Sequence, residues 1–505
     1  MTGVQNKISS IVAVLIICVA FFQIRAQTRG VKETVTKLGE IPVTILQKSN
    51  NAPAPAVVIA HGFSGSQQLM APLATTLAQN GYVAVTFDFS GHGRNSVPMA
   101  GGIRDLGRST AALLADIDQV VAFARSIPGV DGHVALVGHS MATDLIVRQA
   151  RRDPTIEAVV ALSLFSQEVT PESPKNLLIV DGAWEARRLI DVGARIVSET
   201  AGAPAQPGVT YGDISKGTGR RLALARGVEH IGVLYSQDAL GETVAWLNAV
   251  FGRSEAGFID RRGGWLALIF VGLIWLARPL SNLLPVVSPA PLGAALQWRR
   301  LAPLAVAPAV LTPLLLWKIP TNFMPILLGD YLTVHLGLYG LLTGAGLWLI
   351  GGRRVKPSSW PVKQLLICSL AVAAYYTLAM GIPLDAYVVS FVPTAARALL
   401  IAPIFAGCAL YFLADEWMTR GEGAARGGYV FSKFCFIASL GIAVALNPRR
   451  LFFLLIIAIV IVILLTVYGL IGRWVYARTR DPRPGALGAA FGLAWAIAVC
   501  FPIVD

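Results

Sequence analysis

The feature that most constrains the fold is the long apolar region that fills the C-terminal half of the chain. After the polar stretch FGRSEAGFIDRRGG, apolar runs separated by short loops continue to the end of the sequence. Each run is long enough, or nearly so, to cross a bilayer as a helix. We predict about eight transmembrane helices, at residues 264–280, 301–319, 323–350, 363–381, 386–413, 429–446, 450–472 and 485–503. The prolines of residues 280–298 favour a re-entrant or interfacial segment instead.

A further apolar run lies near the N-terminus, at Ile8–Ile24. Its length of about 17 residues suits either a signal peptide or a short membrane anchor. The bulky Ile24 stands where a signal-peptidase site ending at Ala26 would require a small residue. We therefore expect residues 1–29 to be an uncleaved anchor, with cleavage as the alternative.

Between these apolar regions, residues 30–257 have the composition of a water-soluble domain. Six short apolar runs alternate with helical patterns, and they predict strands at VVIAHG, YVAVTFDF, HVALVGH, IEAVVALS, NLLIVDG and RRLALA. This alternation predicts an α/β domain with a mostly parallel sheet, followed by an all-α membrane domain over residues 258–505. All five cysteines lie in apolar runs, so no disulfide framework or cysteine metal site is expected in the α/β domain.

The charges of the short loops predict the orientation of the chain. With the N-terminus inside, the short outer loops hold only Lys318, Arg449 and Arg450. The short inner loops hold Arg278, Arg299, Arg300, Arg353, Arg354, Lys356, Lys363, Arg420, Arg426, Arg473, Arg478, Arg480 and Arg483. By the positive-inside rule, we expect a multi-pass protein of the plasma (inner) membrane with its α/β domain on the extracytoplasmic or periplasmic side. No basic-aromatic pattern predicts nucleic-acid binding, despite the net charge of +13.

The stretch VALVGHSMATDLIV places Ser140 between a predicted strand and a predicted helix. A strand, G-x-S and a helix form a tight turn that lifts the serine hydroxyl above the sheet, where a base can take its proton. Ala142 stands where the usual G-x-S-x-G pattern has glycine, at a point where helix and strand nearly touch. Ser140 is the candidate nucleophile, and an ordinary small-residue turn is the alternative that this motif alone leaves open.

The other parts needed for nucleophilic catalysis follow in a consistent order. The loop HGFSGS can bring the N–H of Phe63 towards the nucleophile, where it would form an oxyanion hole with the N–H of Met141. The acid is expected near the end of the strand NLLIVDG: Glu185, three residues past Gly182, is preferred, and Asp181, inside the strand end, is the alternative, although both could simply cap a helix. One of the six histidines, His335, lies in the membrane region, and of the other five only His230 comes after both the serine and the acid, so it is the candidate base.

The segment from about Thr44 to Phe251 resembles the α/β-hydrolase fold, specifically its dienelactone-hydrolase-like and lysophospholipase-like esterases. The resemblance rests on HGFSGS, FDFSGHGRNS, GHSMA and GVEHIGVLYS. It implies an esterase-like or lipase-like serine hydrolase with Ser140, Glu185 and His230 as its triad. Motifs for metal or nucleotide binding (H-E-x-x-H, C-x-x-C, P-loop lysine) are absent from the sequence, so we expect no metal and no cofactor.

Ionisable residues inside predicted spans are energetically costly and often mark function. Asp330, His335 and Arg397 are such residues, and Lys433 lies near the end of a span. They form a possible second site in the membrane domain. Two structural explanations are equally open: these side chains could pair with residues of neighbouring helices, or they could extend to the membrane surface.

Taken together, these patterns predict a membrane-embedded serine hydrolase that cleaves an ester in a lipid or lipid-like substrate beside the bilayer. Only about ten residues separate two of the predicted strands where a lid would be expected, so the bilayer or the helices could complete the substrate pocket. Two alternatives stay open. One is an acyltransferase that uses the same acyl-enzyme, and the other is a transporter or binding protein with an inactive hydrolase-like domain.

Overall fold

The computed structural model describes residues 3–49, 52–102, 105–254, 257–351 and 361–505. It divides into two compact units. The sheet unit comprises Val19–Leu268, Leu384–Ser390 and Pro502–Asp505, and the helical unit comprises Met1–Cys18, Ile269–Pro383 and Phe391–Phe501. Three residues used in the loop-charge argument, Arg353, Arg354 and Lys356, lie outside the described residues.

A nine-stranded sheet organises the sheet unit, with the strand order β1-β2-β4-β3-β5-β6-β7-β9-β8. The strands are β1 (Val31–Leu38), β2 (Ile41–Lys48), β3 (Ala54–Ala60), β4 (Val83–Phe87), β5 (Val130–His139), β6 (Ile156–Leu162), β7 (Leu177–Gly182), β8 (Thr210–Tyr211) and β9 (Arg220–Ala225). Pairing is parallel from β4 through to β9 and antiparallel at the β1, β2 and β8 edges. The predicted α/β class and mostly parallel sheet are therefore confirmed. The β1–β2 hairpin and β8 were not predicted.

Helices cover the central strands, which is why these strands are continuous apolar runs. Every residue of β3, β4 and β7 is buried. One helix, α1 (Gly3–Gln27), precedes the strands. The helices between and after the strands are α2 (Ala71–Gln79), α3 (Leu106–Ser126), α4 (Met141–Arg152), α5 (Arg187–Ala201) and α6 (Gln237–Phe251). Because the central strands are parallel, the loops that follow them meet at one edge of the sheet, and those loops carry the candidate catalytic residues.

The C-terminal region is helical. Its helices are α7 (Arg262–Ser281), α8 (Trp298–Leu316), α9 (Gly329–Leu349), α10 (Val362–Ala374), α11 (Gly381–Tyr387), α12 (Ala395–Thr419), α13 (Gly428–Leu446), α14 (Pro448–Leu451), α15 (Phe453–Ile456), α16 (Ala458–Thr479) and α17 (Arg483–Cys500). A π-helical turn joins α10 to α11. Within the part of the chain that the structure describes, nine helical stretches are long and apolar enough to cross a membrane: α1, α7, α8, α9, α10–α11, α12, α13, α16 and α17. They are compatible with a multi-pass membrane protein.

Several of the predicted span limits differ from the bounds of the helices, most of all at the starts of two helices. The span expected from residue 386 begins instead at Ala395, after Pro393, because proline disfavours helical geometry in the residue before it. The span expected from residue 450 starts with the short helices α14 and α15 and becomes continuous only at Ala458. The proline-containing segment after α7 is irregular as expected, and its backbone N–H groups at Val287 and Ser288 bond to the carbonyl of Thr479.

Glycines allow α9 and α12 to approach closely within the helical unit. A Cβ atom placed on Gly340 would lie 2.3 Å from the carbonyl carbon of Leu410, and one on Gly407 would lie 2.3 Å from the carbonyl oxygen of Thr333. Small residues at helix contacts are typical of membrane bundles, where close van der Waals packing replaces the hydrophobic effect.

We expect Gly340→Ala to separate these helices and to destabilise the protein by about 1–3 kcal/mol, the usual cost of overpacking. Gly344→Ala on the same helix is the matched control, because a Cβ there meets nothing within 4 Å. The measurement is thermal unfolding of both purified variants in detergent. Equal melting temperatures for the two variants would contradict the close packing.

Candidate active site

Ser140 lies in the sharp turn between β5 and α4. Its φ of 54° is in the left-handed region, which costs a non-glycine residue about 1–3 kcal/mol. The turn is held because the N–H of Ser140 donates to the carbonyl of Leu162 at 2.9 Å. A Cβ on Gly138 would lie 2.9 Å from Cδ1 of Ile146, whereas the methyl group of Ala142 is accommodated in the core. Position 138 is therefore tight for any side chain, and position 142 tolerates alanine.

The three residues predicted as nucleophile, base and acid come together from loops that follow β5, β9 and β7. Nε2 of His230 lies 2.9 Å from Oγ of Ser140, and Nδ1 of His230 lies 3.0 Å from Oε2 of Glu185. The side chain of Glu185 is 1% exposed and that of His230 is 22% exposed. An imidazole bonded in this way can accept the serine proton while the carboxylate stabilises its charged form.

The carboxylate of Glu185 is held by donors other than His230. Oε1 accepts hydrogen bonds from Oγ of Ser163 at 2.5 Å and from the N–H of Gly182 at 2.9 Å. Burial raises the pKa of Glu185, but the hydrogen bonds from His230, Ser163 and Gly182 outweigh it and hold the pKa below its usual value. Glu185 is therefore a carboxylate at neutral pH. Ser163 carries no sequence motif, and reasoning from the sequence missed it.

Asp181, the alternative acid, occupies a different environment. It is fully buried at the end of β7, accepts a hydrogen bond from the N–H of Leu164 at 3.3 Å, and faces α5 at Gly193. Burial, and then the charge of Glu185, raises the pKa of Asp181 to about 8. Asp181 is therefore mostly protonated at neutral pH, unlike Glu185.

Two further side chains, both missed from the sequence, position the His230 loop. The carboxylate of Glu229 accepts the N–H groups of Ile231 at 2.8 Å and Gly232 at 2.9 Å. Nε2 of His139 lies 2.8 Å from the carbonyl of His230. Burial, and then the nearby His230, lowers the pKa of His139 to about 3, so His139 is neutral and donates its Nε2–H to this carbonyl.

The loop that carries Phe63 passes directly beside the nucleophile. A Cβ on Gly62 would lie 3.0 Å from the carbonyl oxygen of His139 and 3.1 Å from Cβ of Ser140, so glycine eases this close approach. Phe63 follows Gly62, and Met141 begins α4, where the first N–H groups have no partner within the helix. The oxyanion-hole roles of Phe63 and Met141 stay predictions.

Asp330 and His335 lie on one helix, α9. Oδ1 of Asp330 accepts the N–H of Tyr331 at 2.6 Å, and its Oδ2 lies 3.6 Å from Nη2 of Arg450. The ring nitrogens of His335 lie 3.2 Å from the hydroxyl of Tyr331 and 3.0 Å from Oγ of Ser439. These contacts join α9 to α13 and to the Arg450 segment.

Arg397 contacts a different helix. Its Nη1 donates to the carbonyls of Ala498 at 2.8 Å and Phe501 at 2.7 Å, at the C-terminal end of α17. A cation at this end of a helix is favoured by the helix dipole. Lys433 forms a buried ion pair with Asp415, which the sequence analysis did not single out. A functional role for these residues stays a prediction.

The described residues contain no group of three or more His, Cys, Asp or Glu side chains that could hold a metal ion.

Comparison with known proteins supports the hydrolase assignment. Residues 51–179 match the model of a hydrolase family described as serine aminopeptidase, S33. The matched segment contains Ser140 and ends before Glu185 and His230. No curated protein matches the chain.

Several solved structures are similar to part of the chain. A provisionally assigned dienelactone hydrolase from Klebsiella pneumoniae is 16% identical, with 44% of this chain and 99% of that chain covered and a TM-score of 0.34. A CIB-like hydrolase, assigned by prediction, from Thermoplasma acidophilum is 14% identical, with 44% and 97% covered and a TM-score of 0.33. An epoxide hydrolase from Vigna radiata is 22% identical, with 29% and 41% covered and a TM-score of 0.22. The family match supports a hydrolase of the α/β fold.

The two carboxylates can be separated by mutation. We expect Glu185→Gln to lower kcat by roughly a hundredfold to ten-thousandfold, because the amide cannot stabilise the imidazolium of His230. Asp181→Asn is the matched control and should leave kcat nearly unchanged, because its carboxyl is already mostly neutral. Steady-state hydrolysis of a model ester measures both variants. The reverse order would make Asp181 the acid.

The pH dependence of stability gives a second measurement on the same pair. The folded pKa of Asp181, about 8, lies above its ordinary value of 3.8, so the folded protein binds this proton more tightly than the unfolded chain. Folding stability from this group therefore falls as pH rises between these two values. We expect the melting temperature of Asp181→Asn, relative to wild type, to increase from pH 5 to pH 8. A difference that is constant with pH would refute the raised pKa.

Proposed function

We propose that the protein is a serine hydrolase that cleaves a carboxylic ester in a lipid or lipid-like substrate. The observation that carries this proposal is the continuous hydrogen-bonded chain from Ser140 through His230 to Glu185. The family match over residues 51–179 supports the hydrolase class. The ester bond and the lipid substrate are our inference.

In the proposed reaction, Nε2 of His230 takes the proton of Ser140 as Oγ attacks the acyl carbonyl carbon. The N–H groups of Phe63 and Met141 hold the oxyanion, a type of contact worth about 3–4 kcal/mol in the transition state. His230 then gives the proton to the leaving alkoxide, and the alcohol departs. Water attacks the acyl-enzyme with His230 again as base, which releases the acid and restores Ser140.

Two exposed aromatic side chains beside the site support a lipid-like substrate. Trp184, directly before Glu185, is 72% exposed, and Phe165, two residues after Ser163, is 64% exposed. Their loops are joined by the hydrogen bond between Ser163 and Glu185. Exposed apolar side chains beside a site are typical of surfaces that meet an apolar ligand or a membrane.

The number of apolar stretches also supports an orientation in which the three parts of the sheet unit lie on one side of the membrane. Leu384–Ser390 and Pro502–Asp505 belong to the sheet unit. Four apolar stretches, α7, α8, α9 and α10–α11, lead from the sheet to the first segment, in which the fourth of them ends, and four more, α12, α13, α16 and α17, separate the first segment from the second. An even number of crossings returns the chain to the same side. The proposed side is the extracytoplasmic one, on the loop-charge argument.

The central test is labelling with a fluorophosphonate probe. We expect wild type to be labelled at Ser140, and Ser140→Ala to lose both labelling and ester hydrolysis. Ser126→Ala is the control, because that exposed hydroxyl only bonds the carbonyl of Phe123 at the end of α3. Labelling elsewhere, or hydrolysis by Ser140→Ala, would refute the mechanism. Lipidomics of cells carrying wild type or Ser140→Ala would then identify the substrate class.

The aromatic rim predicts a dependence on substrate form. We expect Trp184→Ala and Phe165→Ala to raise KM several-fold for a long-chain ester in vesicles and to leave short soluble esters unaffected. Val35→Ser is the control, because Val35 is an exposed apolar residue on β1. Equal effects on both substrates would argue against a role in binding an acyl chain.

A further inference from the structure

The loop that carries Phe63 is fixed at both of its ends. At the start, Nδ1 of His61 bonds the carbonyl of Gly62 at 2.8 Å, and Nε2 of His61 accepts the N–H of Phe89 at 3.2 Å. In the middle, the N–H of Gly65 bonds the carbonyl of Gly62 at 3.0 Å, so residues 62–65 form one tight turn. Ser66 follows this turn directly, so whatever holds Ser66 also restrains the C-terminal end of the turn that carries Phe63.

Ser66 is held by a residue that is more than three hundred positions away in the sequence. The N–H of Ser390 donates to Oγ of Ser66 at 2.9 Å, and Oγ of Ser66 donates to Oε1 of Gln68 at 2.7 Å. Oγ of Ser390 donates to the same Oε1 of Gln68 at 3.0 Å. Each hydroxyl donates one hydrogen and the amide oxygen accepts two, so the donors and acceptors are consistent with one another. Ser66 is fully buried and Ser390 is 1% exposed, so these bonds do not compete with water.

The neighbouring loop, after β4, is held in a similar way. Arg94 forms an ion pair with Asp385 at 2.7 Å, between partly exposed side chains. Asp88 joins the two loops, because Oδ1 accepts the N–H of Gln67 at 2.8 Å and Oδ2 accepts the N–H of Arg94 at 2.9 Å. The segment Leu384–Ser390 is therefore bonded near one end to the loop after β4 and at the other end to the loop that carries Phe63.

We infer that Ser66 and Ser390 are positioning residues for the proposed oxyanion hole, and that the segment Leu384–Ser390 is a working part of the catalytic site. This inference rests on the proposed function. Neither hydroxyl touches the reacting atoms. Ser390 fixes Ser66, Ser66 fixes the end of the turn, and the turn places the N–H of Phe63.

The expected effect is on the transition state rather than on substrate binding. The oxyanion forms only after Oγ of Ser140 attacks, so a displaced N–H group weakens a contact that the ground state does not make. Losing such a contact lowers kcat and leaves KM almost unchanged. A purely structural role would instead lower the melting temperature without this kinetic pattern.

The experiment uses the full-length protein in detergent with a soluble model ester. For Ser66→Ala we expect kcat to fall about tenfold and KM to stay within about twofold. For Ser390→Ala we expect a smaller fall, about threefold, because the backbone N–H of Ser390 still reaches Ser66. Gln68→Ala removes the shared acceptor and should resemble Ser66→Ala, which keeps the test available if Ser66→Ala does not fold. Ser126→Ala is again the control for removing a hydroxyl.

The double variant Ser66→Ala/Ser390→Ala tests whether the two residues act through one route. Once the Ser66 hydroxyl is gone, removing Oγ of Ser390 should lower kcat by less than it does alone. Independent effects that multiply, or unchanged kcat in both single variants while Ser140→Ala is inactive, would overturn this inference and leave the proposed function standing. Hydrolysis by Ser140→Ala would overturn both.

Discussion

The hydrogen bond between His230 and Glu185 is the contact on which the arrangement of the site depends. It joins the loops after β9 and β7, and neither loop has regular structure that could place its side chain unaided. Buried donors at Ser163 and Gly182 hold the far side of the carboxylate, and His139 and Glu229 hold the backbone around His230. The imidazole is therefore oriented before any substrate arrives, which is the condition for proton transfer over a short distance.

Asp181 and Glu185 illustrate how burial can separate the chemistry of two neighbouring carboxyl groups. Both are almost inaccessible to water, but Glu185 collects three donors whereas Asp181 has one contact from a backbone N–H. Their pKa values are accordingly moved in opposite directions. The charge of Glu185 is itself one cause of the raised pKa of Asp181, so one buried anion keeps the other neutral.

Much of the fold could be predicted because the strands and helices follow from how apolar residues are spaced along the sequence. The central strands are continuous apolar runs and the long helices are apolar throughout, so their existence was clear and only limits such as Ala395 and Ala458 were wrong. The β1–β2 hairpin was missed because β1 is largely exposed and lacks an apolar pattern. Ser140, His230 and Glu185 could be selected by motif and order. Ser163, Glu229 and Ser390 could not, because what they contact depends on how distant loops fold together.

The sheet unit is assembled from three separate stretches of the chain, the last of which includes Pro502–Asp505. In that stretch the N–H of Ile503 bonds the carbonyl of Gly91 at 2.9 Å, and Asp505 pairs with Arg108 at 2.7 Å. A ribosome makes residues 31–251 long before it makes these contacts, and domains usually fold as they emerge. Here the sheet can form early, but the segment after β4 acquires its contacts with Ile503 and Asp505 only after α17 has been made. Completion of the sheet unit is thus linked in time to the synthesis of the helical region.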